Sequence, residues 1–400
     1  MALVRLSELI GQPQAASFLR GVVAGGRYAN AYLLHGAAGV GKGTAAVAFA
    51  RALLCEGRPG ASAAQAGLFD APPPVPDAPP DDACGRCAAC LKTAALQHPD
   101  LKFLFPVSGE EKELDATIAE TVQAMRDDPL FVFVYEKAAS IRISLTRDLL
   151  RELAYKPYEA ARRVVVVRDA DRMREDQYSA LLKSIEEPGA STVWVLTTAR
   201  LSRLPATIPS RCQKIRFAPL AESEVAAFLE TRAGVGGRES RLLAALSSGS
   251  LARALALRDS EPLRQRDKAL ALLEPALHGD TMGLWKAVQG FTQFGRAGRE
   301  SLRRLIEFHQ LWLRDLLRSR VDAPRDSLVN RDREPEIRRL AARTSAAEIR
   351  RRLLVLEEVL RAIEGNVTAE LALFSGVTRV AGGRFDERSW PRHSTARWDY

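Results

Sequence analysis

The sequence predicts an α/β domain built on a parallel sheet with helices on both faces, followed by a small helical domain and then an all-helical region. Three observations predict it. Strand-like and helix-like segments alternate from residue 1 to about residue 217. A glycine-rich loop joins a short apolar strand to an alanine-rich helix. Past Phe217 the strand signals stop and everything reads as helix.

Each element has its own warrant. AYLLHG (Ala31–Gly36) is an apolar run closed by glycine, and GTAAVAFARALL (Gly43–Leu54) behind it is rich in alanine, the strongest helix former. RRVVVV (Arg162–Val167) and TVWVLTT (Thr192–Thr198) are β-branched runs of the kind buried in a sheet covered on both faces. Pro59 to Ala83 is rich in proline and alanine and predicts a disordered insertion. Leu302, Leu305, Ile306, His309, Leu313, Leu316 and Leu317 recur at three-to-four spacing, as do Leu353, Leu356, Leu360 and Ile363. That spacing marks core-facing helix stripes. Residues 381–400 have no period and predict a flexible tail.

Bulk properties narrow the class. A chain of 400 residues suits two or three domains. Its apolar runs fall short of a membrane span, and MALVRLSELIGQ lacks the apolar core of a secretory signal, so the expectation is a cytoplasmic protein. A net charge of +9 suits a polyanionic partner such as nucleic acid or nucleotide phosphate, or equally a solvated arginine-rich surface.

GAAGVGKGT (Gly36–Thr44) fits G-x-x-x-x-G-K between a strand and a helix. Gly36, Gly39 and Gly41 let the backbone fold around phosphate so that its N–H groups face the anion, and Lys42 reaches the outer phosphates. A magnesium site needs Ser or Thr directly after the lysine. Gly43 supplies no hydroxyl, and Thr44, one residue on, is turned away by about 100°. The second departure lies in VVVVRDADRM (Val164–Met173), where a metal-holding acid is expected at the strand end and Arg168 stands instead. Its charge repels a divalent ion by several kcal/mol even at an effective dielectric of about 20. Asp169 holds the place of the water-polarising acid. An alternative slides Asp169 into the metal role, although Gly43 stays uncompensated. The cradle therefore predicts weak or absent ATP binding and no hydrolysis.

CGRCAAC places Cys84, Cys87 and Cys90 at three-residue spacing, and Cys55 precedes the insertion. Four thiolates satisfy tetrahedral zinc, and with no catalytic acid nearby the metal reads as structural. Cys212 lies outside the set. Arg211, in LPATIPSRCQKIRF (Leu204–Phe217), lies in the stretch that follows the strand TVWVLTT and closes the α/β region. Alone such an arginine is most often a surface ion-pair partner; as a planar, permanent cation it also suits bidentate phosphate contact.

Together these residues resemble the clamp-loader family of AAA+ proteins in bacterial DNA polymerase III. The resemblance runs from LSELIGQPQAASFLRGVVAGGRYANAYLLHGAAGVGKGT (Leu6–Thr44) through the cysteine module and HPDLKFLFP (His98–Pro106). It is most specific in ALLKSIEEP (Ala180–Pro188) and TIPSRC (Thr207–Cys212), and continues through LWLRDLL (Leu311–Leu317) and GNVTAELALF (Gly365–Phe374). The departures at Gly43 and Arg168 resemble the family's non-hydrolysing member, not its gamma/tau-type ATPases. In GSLARAL (Gly249–Leu255), Ala252 stands where the ATPases carry a nucleotide-sensing arginine, with Arg253 one step off. Cys55 lies farther from Cys84 than the family usually shows.

The resemblance implies an AAA+ domain over 1–217 with a zinc module at 55–90, a helical lid over 218–262 and a collar over 263–380. It places Thr198 near the sensor-one position and makes Arg211 an arginine finger offered to a neighbouring ATPase. It further implies a hetero-pentameric ring with gamma/tau and delta subunits, acting on a sliding clamp and primed DNA within the DNA-directed DNA polymerase holoenzyme. Two rival readings are an active gamma/tau-type ATPase and a zinc-containing DNA-binding protein on an ATPase relic.

Overall fold

Five strands form one sheet in the order β2-β3-β4-β1-β5, every neighbouring pair parallel. They are β1 (Ala31–Gly36), β2 (Leu101–Leu104), β3 (Arg163–Val167), β4 (Thr192–Thr198) and β5 (Gln213–Phe217). The computed structural model describes residues 4–58, 79–107, 114–128, 131–133, 139–187, 191–277, 295–321, 323–364 and 369–380. Most of the expected insertion, residues 59–78, and the expected tail, residues 381–400, lie outside the described residues.

Parallel pairing needs long crossovers, whose helices cover both faces of the sheet. This is why the central strands carry unbroken apolar runs. Val164 to Val167 and Trp194 are fully buried, and the Trp194 indole donates to Ser184 O at 3.1 Å. Ala31, Leu33, Val165, Val167 and Leu196 share one core with Leu181, Ile185 and Ile208. The helices up to residue 258, in chain order, are α1 (Pro13–Gly25), α2 (Lys42–Leu54), α3 (Ala88–Ala94), α4 (Leu114–Asp127), α5 (Ile143–Leu153), α6 (Glu175–Glu186), α7 (Thr207–Arg211), α8 (Glu222–Arg232), α9 (Gly237–Ser247) and α10 (Leu251–Arg258). The alanines of α2 are buried along its whole length, so their small side chains let it lie close on its neighbours.

The two edge strands were not among the strands expected. β2 has only four residues, and β5 alternates exposed with buried positions. Their membership comes from pairing with β3 and β1, not from their own composition.

The chain divides into two compact units, residues 1–233 with 247–256 and residues 234–246 with 257–400. The second contains α9 up to Leu246, with α11 (Pro262–Leu277), α12 (Gly295–Arg320), α13 (Glu334–Arg343), α14 (Ala346–Glu364) and α15 (Ala369–Val380). The expected stripe on α12 is buried from Leu302 to Leu316, with Leu317 half-buried. On α14 Leu356 and Ile363 are buried, while Leu353 and Leu360 are half-buried beside buried Val355 and Val359. Asp315, fully buried, caps the loop after α12 by accepting from Val329 N (3.1 Å), Asn330 N (2.8 Å) and Asn330 Nδ2 (2.9 Å). Among the described residues no helix is long and apolar enough to cross a membrane.

His309, within the stripe, is 1% exposed, and neither ring nitrogen has a hydrogen-bond partner among the described residues. Burial pushes its pKa down from 6.5 to about 3. The unfolded chain therefore binds the proton first, so the stability from a neutral His309 is complete above about pH 6.5 and is lost as pH falls toward 3. Between pH 7 and pH 4 the helical unit is expected to lose roughly 2–3 kcal/mol from this residue. His309→Leu should flatten that dependence in urea melts followed by the buried Trp312 nearby. An unchanged acid slope in the variant contradicts the assignment.

Candidate functional site

The glycine-rich loop lies between β1 and α2. A Cβ on Gly36 would lie 2.1 Å from Phe217 O, so this glycine is demanded by close pairing with β5 as much as by any anion. Gly41 enters α2 at φ +96, a conformation that L side chains rarely adopt. Lys42 is 5% exposed, and its Nζ donates to Gly36 O at 2.8 Å and Ala37 O at 2.5 Å. Burial is the main reason its pKa falls to about 8; Asp169 opposes the fall and Arg168 adds to it. Gly39 O accepts from Ala252 N at 3.3 Å, so the start of α10 packs on the loop.

Gly43 and Arg168, 125 positions apart by their residue numbers in the chain, meet. A Cβ on Gly43 would lie 2.7 Å from Arg168 Nη1 and 3.3 Å from its Cζ, so the guanidinium occupies the space of the missing side chain. Arg168 Cζ also sits 3.8 Å over the Phe133 ring, and its Nε lies 3.5 Å from Asp169 Oδ2. Asp169 has φ 49 and ψ 52, the left-handed region, and its N–H donates to Thr197 Oγ1 at 2.9 Å. Phe133 was not foreseen, and no motif in the sequence marks it.

These residues line a cavity of about 800 Å³, within the range of small-molecule pockets. One end carries Lys42, Gly43, Thr44, Arg168 and Asp169; apolar walls come from Leu9, Ile10, Phe228, Leu251 and Leu255. Thr44 is half-buried on this wall. Thr198 is fully buried and is not among the lining residues. Its Oγ1 donates to Asp171 Oδ1 at 2.8 Å, and Asp171 also accepts from Arg200 Nε at 2.9 Å. Burial pushes the Asp171 carboxyl up, but the bonds from Thr198 and Arg200 outweigh it and hold the group below the usual carboxylate range. Asp171 lines the cavity and was missed; the second acid of RDAD was the available signal.

Arg211 closes α7 on the exposed surface and is not among the lining residues. It pairs with Glu186 at the end of α6, and its Nη1 donates to Thr207 O at 3.1 Å. The two stretches most specific to the resemblance therefore meet in one ion pair.

The four cysteines converge. The sulfurs of Cys55, Cys84, Cys87 and Cys90 all lie within 4.8 Å of one another, so Cys55 does join the other three across the insertion. Cys55 and Cys87 are 4.0 Å apart, Cys84 and Cys90 3.8 Å. A tetrahedron of metal–sulfur bonds about 2.3 Å long has edges of about 3.8 Å, so the donor set fits a metal ion. Backbone N–H groups of Cys84, Cys87 and Cys90 point at sulfur atoms, each at 3.4 Å, as suits thiolates. Contact with Cys87 pushes the Cys55 thiol up to about 12, while contact with Cys55 pushes Cys87 down. Sulfurs this close cannot all carry charge without a cation among them. The module also holds the N-terminal segment: Arg5 Nη2 donates to Cys84 O at 2.9 Å, and buried Asp82 accepts from Leu6 N at 3.2 Å and Ser7 N at 2.9 Å.

A parallel β2-β3-β4-β1-β5 sheet with a glycine-rich loop leading from β1 into a helix defines a P-loop protein of the AAA+ class. A family model described as DNA polymerase III, delta subunit, matches residues 75–221. The DNA polymerase III subunit delta' of Pseudomonas aeruginosa is 34% identical over 190 residues, 47% of this chain and 43% of that protein, so the match spans less than half of the relative's length. The subunit delta' of Bacillus subtilis is 25% identical over 362 residues, covering 90% of this chain and 93% of that one. The subunit tau of Escherichia coli is 26% identical over 258 residues, 63% of this chain and 32% of tau. Across these comparisons the chain is similar to DNA polymerase III subunits delta' and tau.

Proposed function

We propose that the chain is a non-hydrolysing clamp-loader subunit, cytoplasmic and held in a hetero-pentameric ring with gamma/tau and delta subunits. In this reading it offers Arg211 to the ATP of the adjacent subunit, and so helps that ATP drive a sliding clamp onto primed DNA. The collar over 263–380 holds it in the ring, the segment 218–262 is the lid, and zinc at Cys55, Cys84, Cys87 and Cys90 is structural.

One observation carries the reading. The guanidinium of Arg168 lies against Gly43, so a cation and a bare backbone take the place of two oxygen donors for magnesium. A P-loop without those donors lacks the group that neutralises charge building up on the transferred phosphoryl. This favours the delta' role over that of a tau-type ATPase, although the chain is similar to both.

The purified chain is expected to hydrolyse ATP at background rate, while a reconstituted ring with gamma/tau and delta gains clamp-dependent turnover when this chain is added. Turnover by the chain alone that disappears in Lys42→Ala identifies a working ATPase and removes the reading.

A further inference from the structure

One short segment joins the cysteine module to a wall of the cavity. Val4, Glu8, Leu9, Ile10 and Gln12 line the cavity, and all of them lie on the stretch that leads into α1. Leu6–Glu8 forms a single 3-10 turn, too short to hold itself in place. The stretch is therefore fixed by its contacts at either end.

The far end is tied to the glycine-rich loop and to the residue after β5. Gln12 is 5% exposed; its amide donates to Ala218 O at 2.7 Å and to Val40 O at 3.3 Å, and its carbonyl accepts from Ala218 N at 3.2 Å. The near end is tied to the module. Asp82, 1% exposed, accepts from Leu6 N through one oxygen and from Ser7 N through the other. Arg5 Nη2 donates to Cys84 O, and a Cβ on Gly85 would lie 3.2 Å from that same nitrogen, so the glycine leaves room for the guanidinium. Asp81 pairs with Arg20 of α1 at 2.6 Å, and Arg51 of α2 adds a hold on Val4 O at 2.8 Å. Leu9 and Ile10, both half-buried, sit between these two anchors.

A buried carboxylate is stable only where donors surround it, and Ala83 N, at 2.7 Å, completes the set around Asp82. The place of that carboxylate is set by the chain just ahead of Cys84, and so by whether the four sulfurs are gathered. We propose that the cysteine module is a latch on the cavity: through Asp82 and Arg5, acting as positioning residues, it fixes Leu9 and Ile10, and the shape of this wall follows the state of the four thiolates. The inference rests on the metal reading of those cysteines and adds its consequence for a second site. When the sulfurs part, Leu6 N and Ser7 N lose their acceptor, Arg5 loses Cys84 O, and the wall keeps only its hold through Gln12 and Arg51.

Isoleucine-methyl NMR of the full chain reads the wall, with the Ile10 signal assigned through Ile10→Val. Asp82→Ala is expected to shift and broaden the Ile10 signal, while zinc content stays at the wild-type level. The Ile185 and Ile337 signals, from buried residues of the sheet core and of the second unit, should stay in place. Asp82→Asn keeps one carbonyl oxygen for the two N–H groups and should return the Ile10 signal part of the way. Stripping metal from the wild type with a strong chelator is expected to displace the signal as Asp82→Ala does. An Ile10 signal that stays native in Asp82→Ala, or in the stripped protein, overturns the latch. If Asp82→Ala does not fold, Arg5→Met takes its place, since it removes the Cys84 contact and leaves the carboxylate. Native protein found to carry no metal removes the metal reading instead, and Asp82→Ala then decides the latch.

Discussion

Arg211→Ala in the reconstituted ring is expected to lower ATP turnover at the neighbouring site by roughly 10³-fold or more, the range of arginine fingers supplied in trans, while the ring still assembles. The bland alternative is that Arg211 only holds α6 to α7 through Glu186. Magnitudes separate the two. The pair is exposed, with side chains at 40% and 42%, and exposed pairs contribute at most about 1 kcal/mol. Losing it cannot unfold the domain, so a large fall in turnover with an unchanged melting temperature belongs to the finger. Glu186→Gln is the control: it breaks the ion pair but leaves the guanidinium in place, and should keep most of the turnover. If Glu186→Gln and Arg211→Ala lower turnover equally, the arginine acts through the pair and not on phosphate. Clamp loading measured beside turnover then shows whether the ring's work fails with its chemistry.

Removing the proposed zinc should have the second large effect. Structural zinc contributes about 10–16 kcal/mol in small zinc domains, as much as a whole domain's net stability of about 5–15 kcal/mol. Cys87→Ser, or stripping by a strong chelator, is therefore expected to unfold the module from Cys55 to Cys90. Leu6 and Ser7 lose the carboxylate of Asp82 that accepts their N–H groups, and Arg5 loses Cys84 O. Hydrogen exchange should rise first at residues 5–8, while α12 and α14 of the second unit keep their protection. Native protein should carry about one equivalent of zinc. A stripped protein with native exchange at Leu6 and Ser7 would falsify the clip.

Much of this was legible along the chain. Interior strands announce themselves because a covered sheet needs apolar side chains on both faces, and Val164–Val167 and TVWVLTT supply them. The edges β2 and β5 are defined by their neighbours' hydrogen bonds, which composition does not carry. The cysteine spacing foretold Cys84, Cys87 and Cys90, and the need for a fourth thiolate pointed to Cys55, whose long separation in sequence left it the weakest member until the fold brought it in. Other site residues followed tertiary contacts that no motif encodes. Thr198 was placed near a sensing position, yet it is sealed beneath Asp171, which faces the cavity in its stead. Gly36 looked like part of a phosphate loop and is also the seam with β5. Gly43 and Arg168 read as two separate departures, whereas in the fold they are one contact completed by Phe133.

That contact also bears on descent. A serine codon at 43 alone supplies a hydroxyl beside an arginine that still repels the dication. An aspartate codon at 168 alone supplies a carboxylate facing a bare helix turn. In the proposed reading each restored residue meets the other obstacle unchanged, so regaining a magnesium site takes both changes together.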